Sequence, residues 1–405
     1  MSCLIIKNDG LGDLILASGL IADLAVHFGG ADLITCEANR EIAESIPGAI
    51  RCLYVSRDDL RFRSRPSRWG IFLPVARGSD NTVLTEMAGI HYDVAICLRR
   101  FIRESSLVLM RAVRAKKKHC AWQFPTNVGL ATARRATKGW AHFDGNQKDL
   151  SELIYYRSFL KHATGVEFRG KPRLRMAERR REMAQGKRVG LGIGARSSVW
   201  PVEHWVGLVR ALCADDWDIT LFGGTDCAGI DRIIRSAFPQ CKSCVGTMSL
   251  AATAEQLSDF DAFVANDTGL MHLASLVVPI CLILQGGGTF QRFFPWPDAS
   301  NQYQIFHAHE CFDCNWQCVL PNQDCLNFIR PSGVAGYLRR IISGHSSQKY
   351  HNENRNSVSY ARLKILLKQP DIWLILSNLA SALRSPATRL RKRYGCTRRQ
   401  TSKFM

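Results

Sequence analysis

Hydrophobic and polar positions change along this chain in blocks. The apolar run CLIIK (residues 3–7) gives way to a glycine turn, NDGLGD, and then to LILASGLIADLAVHF, whose apolar residues recur at helical spacing. The strand-like ADLITCEA, the helix-like NREIAESIPG and the strand-like RCLYVS follow, and YDVAICL supplies a later strand. Strands alternating with helices predict a βαβαβ unit, half of a doubly wound parallel sheet. The pattern restarts after residue 187. RVGLGIGA, WDITLFGG, DAFVAND and VPICLILQGGG read as strands that end in glycine or polar residues, and VEHWVGLVRALCADD reads as an amphipathic helix. The expected fold class is therefore α/β, with two Rossmann-like domains facing across a cleft. Residues 1–170 form the first and residues 188–344 the second, joined by a charged, exposed connection at 171–187. From residue 345 to 405 an extension follows: a polar loop, an amphipathic stretch interrupted by Pro370, and a tail, RLRKRYGCTRRQTSKFM, that contains no acid.

Length agrees with two domains. At 405 residues, 46% of them hydrophobic, the chain exceeds one ordinary core and suits two of about 150–200 residues each. A formal net charge of +19 would attract phosphorylated substrates, an anionic membrane or nucleic acid, without choosing among them. The cations come in blocks, as at Arg61, Arg63 and Arg65, at Lys116, Lys117 and Lys118, and at Arg179, Arg180 and Arg181. Lys7 and Asp9 break the N-terminal apolar patch at once, so it reads as a buried strand and not an export signal. No apolar run stands out as approaching the ~18 residues of a spanning helix. The expected location is cytoplasmic, with the basic blocks and tail resting on the inner face of the cytoplasmic membrane. Most of the 15 cysteines are scattered in apolar segments, as small core residues are.

One segment, FVANDTGLMHLAS (residues 263–275), carries chemistry. Its Asp267-Thr268-Gly269 matches an aspartic protease in letters only, because such a protease needs two of these carboxylates on an all-β scaffold. At a strand-to-helix junction the same residues suit phosphate binding, since helix N-termini offer free N–H groups and partial positive charge. A plain helix N-cap is the competing interpretation. Three more glycine turns end strands in the same half: GIGARSS, LFGGTD with Gly223 and Gly224, and LQGGGTF with Thr289. Together they favour a nucleotide. The N-terminal turn lacks the third glycine of a dinucleotide fingerprint, with Ile15 in its place. It does offer Asp13 at a helix start facing the cleft, as a general base or as a helix-end acid. Asp259-Phe260-Asp261 precedes a strand, at the end far from Asp267, and is expected to be a solvated turn. Cys311, Cys314, Cys318 and Cys325 leave three states open: a structural zinc site, packed reduced thiols, or disulfides.

Taken in order, and over most of residues 1–330, these segments resemble glycosyltransferase family 9, the bacterial lipopolysaccharide heptosyltransferases and their relatives. The resemblance rests on GLGDLILASGL, GIGARSSVWPVEHWVGLVRAL, ITLFGG, and FVANDTGLMHLASLVVPICLILQGGGT. It implies the GT-B fold and transfer from a nucleotide-sugar such as ADP-heptose; a single displacement would invert the anomeric centre, and with no metal motif near the site the transfer is expected to be metal-independent, with no cofactor for catalysis. The implied acceptor is an anionic glycolipid or glycan such as a lipopolysaccharide core. By the same resemblance Asp13 is the catalytic base. Asp267, Thr268, Gly269 and His272 hold the donor, with Gly223, Gly224 and Thr289 beside it. Three positions depart from the family pattern. Ser198 stands where a phosphate-contacting Lys is usual, with Arg196 the nearest cation. Gly19 stands where Pro is usual. Cys227, next to Asp226, falls where a ribose-binding acid is expected. Two rival functions are a zinc-stabilised nucleic-acid-binding protein and a family member that binds donor without catalysis. The first leaves Asp13, Asp267 and the glycine turns unexplained, and no nucleic-acid partner is expected.

Overall fold

The computed structural model describes residues 1–56, 61–62, 74–75, 79–121, 134, 136–144, 151–177, 187–194, 199–297, 299–309, 311–318, 323–345 and 349–353. The first sheet contains β1 (Cys3–Ile6), β2 (Ala31–Cys36), β3 (Ile50–Val55), β4 (His91–Cys97), β5 (Arg114–Ala121) and β6 (Ala141–Phe143). All pairs are parallel, in the order β3-β2-β1-β4-β5-β6. The second sheet contains β7 (Arg188–Gly192), β8 (Asp218–Phe222), β9 (Lys242–Ser243), β10 (Ala262–Asn266), β11 (Ile280–Leu284), β12 (Gln302–Phe306) and β13 (Tyr350–Asn352). It too is parallel, in the order β9-β8-β7-β10-β11-β12-β13. Each sheet therefore reverses its winding once, between β1 and β4 and between β7 and β10. Crevices at such reversals, outside the carboxyl ends of the strands, are where α/β sheets bind ligands.

The central strands are apolar throughout because helices cover both faces: Leu4, Ile5, Ile6, Val264, Ala265, Leu282 and Ile283 are all buried. Helix α1 (Leu11–Phe28) starts at Gly10 and ends at Gly29, whose φ of 72° closes the helix in the left-handed conformation. Its 18 residues have a mean hydropathy of 1.6, so among the described residues it is long and apolar enough to cross a bilayer, contrary to expectation. That apolarity is used inside the protein. Leu14, Ile15, Leu16, Leu20 and Ile21 are buried in a core that also contains Phe222, Phe263, Met271 and Leu273 of the second domain.

Two further elements differ from the sequence expectation. The charged connection does not stand clear of the fold over residues 171–177. Gly170 meets Gly19 of α1, Arg173 N–H donates to Ser18 Oγ at 2.9 Å, and Arg175 N–H donates to the Ser45 carbonyl at 2.7 Å. A Cβ at position 19 would run into the Lys171 carbonyl, which explains the glycine there. The extension after residue 345 contributes β13 to the second sheet, although YHN has too little apolar character to signal a strand. Asp261 is also not solvated. It is 2% exposed and accepts the Arg188 N–H at 2.9 Å, at the sheet end remote from Asp267.

Candidate active site

Four helices frame the cleft: α1, α2 (Glu104–Ala112), α3 (Glu152–Thr164) and, in the second domain, α5 (Gly269–Val277), with α4 (Val202–Cys213) behind β7. The N-termini of α1 and α5 meet directly. A Cβ on Gly12 would come 2.5 Å from His272 Cδ2 and 3.0 Å from its Nε2, and one on Gly269 would come 3.0 Å from Leu11. Glycine at both positions is what lets the two helix ends approach, and with them two carboxyls.

Asp13 lies in the first turn of α1, partly exposed. Loss of water raises its proton affinity to about 6; Asp9 and Glu152 add to the rise, while Lys7 and Arg292 oppose it. Asp267 follows β10 and is also partly exposed. Desolvation raises it to about 7, against hydrogen bonds from Thr289 and Gln285, and the charge of Asp13 contributes to the rise. Thr289 Oγ1 donates to Asp267 Oδ2 at 3.3 Å. The two carboxyls thus belong to one electrostatic site although 254 residues separate them in sequence (267 − 13).

Thr268 is the N-cap of α5, and its hydroxyl accepts the Met271 N–H at 3.4 Å. The first four N–H groups of a helix lack intrahelical partners, so one of the four is capped and the helix end keeps donors for an anion. His272 is 3% exposed. Its ring stacks on Phe294 at 4.3 Å and Trp296 at 5.8 Å, and burial lowers its pKa to about 3, so it is neutral. Trp296 Nε1 donates to His272 Nδ1 at 3.3 Å, which places the ring proton on Nε2, toward Gly12. Gly223 and Gly224 follow β8, and a Cβ on Gly223 would lie 2.9 Å from Cys227 Sγ. Cys227 is buried with its thiol raised to about 11, chiefly by burial, whereas Asp226 is exposed. Arg196 and Ser198 lie outside the described residues. Trp200 of the Trp-Pro pair is fully buried, donates to the Ile329 carbonyl at 3.0 Å and packs on Trp205, so it ties the start of α4 to the segment that leads into the helix Pro331–Ile342.

The cleft also contains ionised residues that motif reading did not find. Lys7 is fully buried, and its Nζ lies 2.7 Å from both Asp9 Oδ2 and Tyr156 Oη. Burial works to raise the Asp9 carboxyl, but Lys7 and then Arg99 hold it low. Arg99 donates to the Asn8 carbonyl at 3.0 Å and to Asn8 Oδ1 at 2.9 Å. Arg99 and Arg100 directly follow the β4 region, so the strand-end rule that selected Asp267 would have selected them. Arg292 and Glu152 carried no such signal.

The triple-glycine turn after β11 faces the cysteine loop. A Cβ on Gly286 would lie 2.5 Å from the Trp316 ring, and Asp313 and Asn315 N–H groups donate to the Gly287 and Gly288 carbonyls at 2.7 and 2.9 Å. Cys325 Sγ accepts the Gly287 N–H at 3.3 Å. Among the described residues no three His, Cys, Asp or Glu side chains are grouped to hold a metal ion, and no disulfide joins the described cysteines.

Comparison with known proteins adds to this geometry. Residues 153–318 match the family model described as glycosyltransferase family 9 (heptosyltransferase). Lipooligosaccharide heptosyltransferase 2 of Haemophilus influenzae is 29% identical over 114 residues, 27% of this chain and 33% of that protein. The Campylobacter jejuni protein of the same description is 21% identical over 221 residues, 51% of this chain and 69% of that protein. The chain thus spans one third of the first relative's length. Among solved structures, a glycosyltransferase family 9 protein from Veillonella parvula superposes with a TM-score of 0.65 at 15% identity, covering 85% of this chain and 97% of that one. E. coli ADP-heptose lipopolysaccharide heptosyltransferase II gives 0.59 at 16%, covering 85% and 99%. E. coli heptosyltransferase WaaC with ADP gives 0.57 at 17%, covering 85% and 98%. At these identities the structural likeness is one of fold, and that fold is GT-B. The matched segment, the ordered motifs and the paired parallel sheets agree: residues 153–318 are similar to glycosyltransferase family 9, on a fold shared with its solved members.

Proposed function

We propose that this protein is an inverting glycosyltransferase that moves a heptose from ADP-heptose to a lipopolysaccharide core or related anionic glycan. One observation carries the proposal: Asp13 and Asp267 stand at the N-termini of two helices that meet across the cleft, one from each domain's winding reversal. A donor diphosphate lies at the α5 N-terminus, where N–H groups and the helix dipole favour anions. The acceptor lies against the first domain. Asp13 takes the proton of the acceptor hydroxyl as its oxygen bonds the anomeric carbon. The bond from that carbon to the diphosphate breaks on the opposite face, and the electron pair leaves with the nucleotide. One displacement inverts the anomeric centre. Stabilisation of the leaving diphosphate falls to the helix end, with Arg292 a described cation whose charge favours the ionised form of both carboxyls. No metal takes part.

The test is direct. The full chain is incubated with ADP-heptose and a heptose-deficient lipopolysaccharide core, and both ADP release and acceptor mass are measured. Joint appearance of ADP and a heavier acceptor supports the proposal. ADP binding without transfer would favour a donor-binding member that lacks catalysis. Retained turnover in EDTA supports metal independence, and loss in EDTA with recovery in Mg²⁺ or Mn²⁺ would refute it.

A further inference from the structure

Arg292 and Glu152 occupy the cleft but belong to no motif described above. Glu152 opens α3 in the first domain and is 1% exposed. Arg292 lies in the turn after β11 in the second. Arg292 Nε donates to Glu152 Oε2 at 2.8 Å, and the Glu152 backbone N–H donates to the Arg292 carbonyl at 2.7 Å. The pair is therefore tied at two points across the domain boundary. Arg100 Nε stands 3.5 Å from the same carboxylate oxygen on the first-domain side. Phe101 of the first domain and Phe293 of the second frame the guanidinium, with ring centroids at 5.0 and 4.8 Å. The turn begins at Thr289, whose carbonyl accepts the Arg292 N–H at 3.1 Å and whose hydroxyl bonds Asp267. A continuous chain of contacts thus runs from Glu152 through Arg292 and Thr289 to Asp267.

We propose that Arg292 is a positioning residue of the transfer reaction: tied to Glu152, it locks the donor-side turn 289–292 onto the first domain and sets the spacing and charge balance between Asp13 and Asp267. The role rests on the glycosyltransferase function proposed above. An ion pair with its carboxylate buried is suited to it, because loss of the Arg292 cation leaves part of the Glu152 charge uncompensated away from water. Reaction geometry is equally sensitive: displacement by about 1 Å can reduce rate on the order of 10²-fold.

The groups that face Asp13 make the role separable from plain packing. They are Lys7 and Asp9 from the turn after β1, Arg99 from beyond β4, Glu152 and Tyr156 from α3, and Arg292 and Asp267 from the second domain. Arg292 favours the ionised form of Asp13, and Glu152 opposes it. Partners in one ion pair therefore pull the base in opposite directions.

The experiment uses full-length wild type, Arg292→Met, Arg292→Lys and Glu152→Gln. Transfer from ADP-heptose to the heptose-deficient core is followed from about pH 5 to about pH 9. Arg292→Met should lower kcat on the order of 10²-fold and move the acid limb of kcat/KM to higher pH. Glu152→Gln should also lower kcat but move that limb to lower pH. Arg292→Lys should keep the limb near its wild-type position without restoring kcat, because lysine lacks the planar fork. Unchanged kcat in Arg292→Met, or loss in both variants with no movement of the limb, would overturn the proposal. If Arg292→Met does not fold, the other two variants still carry the test: Glu152→Gln by a limb moved to lower pH, and Arg292→Lys by a lowered kcat with the limb in place; wild-type behaviour in both overturns the proposal. Small-angle scattering reads domain separation without substrate. A more open profile in Glu152→Gln supports the tie, and superimposable profiles overturn it. Failure of the wild type to transfer heptose would count against the glycosyltransferase function alone, and the scattering comparison would then decide on the tie.

Discussion

Asp13 and Asp267 hold their protons at pH values where free aspartates have lost them, near 6 and near 7. A base must be ionised to work, so kcat/KM should rise with pH through about 6 and level off above it. A pH profile of ADP release would show this, and a flat profile across that range would remove Asp13 from the mechanism. Asp13→Asn should lower transfer by a factor on the order of 10² or more, since an amide cannot take the proton. ADP binding, measured by calorimetry, should persist. Folding stability should move the other way. The folded state keeps the Asp13 proton longer than the unfolded chain does, so this carboxyl reduces stability as pH rises from about 4 to about 6. The Asn variant should be more stable than wild type at pH 8 by on the order of 1 kcal/mol, and the gain should vanish below pH 4. Urea melts at the two pH values would check it. His272 brings no positive charge to the candidate site at these pH values, since burial keeps it neutral.

Among the secondary elements, the approach of α1 to α5 is what assembles the site. It depends on the absence of side chains at Gly12 and Gly269 more than on any polar contact. Gly12→Val should push into the His272 ring, part the helix ends and lower transfer at least about tenfold. Circular dichroism should show each domain's secondary structure intact. Wild-type kinetics in this variant would mean that the helix ends need not touch. The same close approach accounts for the departure at Gly19, where Gly170 and Lys171 pack against α1. Any Cβ at position 19 would meet that backbone.

For the molecule as a whole, the +19 charge and the acid-free tail bear on where the acceptor is met. Residues 385–405 lie outside the described residues, as do Trp373, Leu374 and Leu376 of the apolar stretch before them. An apolar stretch followed by cations suits an anionic bilayer, with each basic residue contributing roughly 1 kcal/mol near the surface. We expect removal of residues 385–405 to weaken sedimentation with anionic vesicles while leaving turnover on a water-soluble acceptor fragment unchanged. Binding by the full chain should also fade as salt rises. Equal vesicle binding by both chains would exclude the tail as an anchor.

The local pattern of residues determined the two parallel sheets, their order of elements and the placement of Asp13 and Asp267 at strand-to-helix turns. Short apolar runs, helical spacing and glycine punctuation are properties of neighbouring residues, and they survive without knowledge of the rest of the chain. Contacts between distant segments were not legible in this way. The strand character of Tyr350–Asn352 depends on β12 being beside it, the docking of residues 171–177 depends on Gly19, and the burial of Asp261 depends on Arg188. The Glu152–Arg292 tie joins residues 140 positions apart, and neither has a local reason to be singled out. The raised proton affinities belong to the tertiary structure as well: they arise from water excluded where two domains meet and from charges that sequence distance hides.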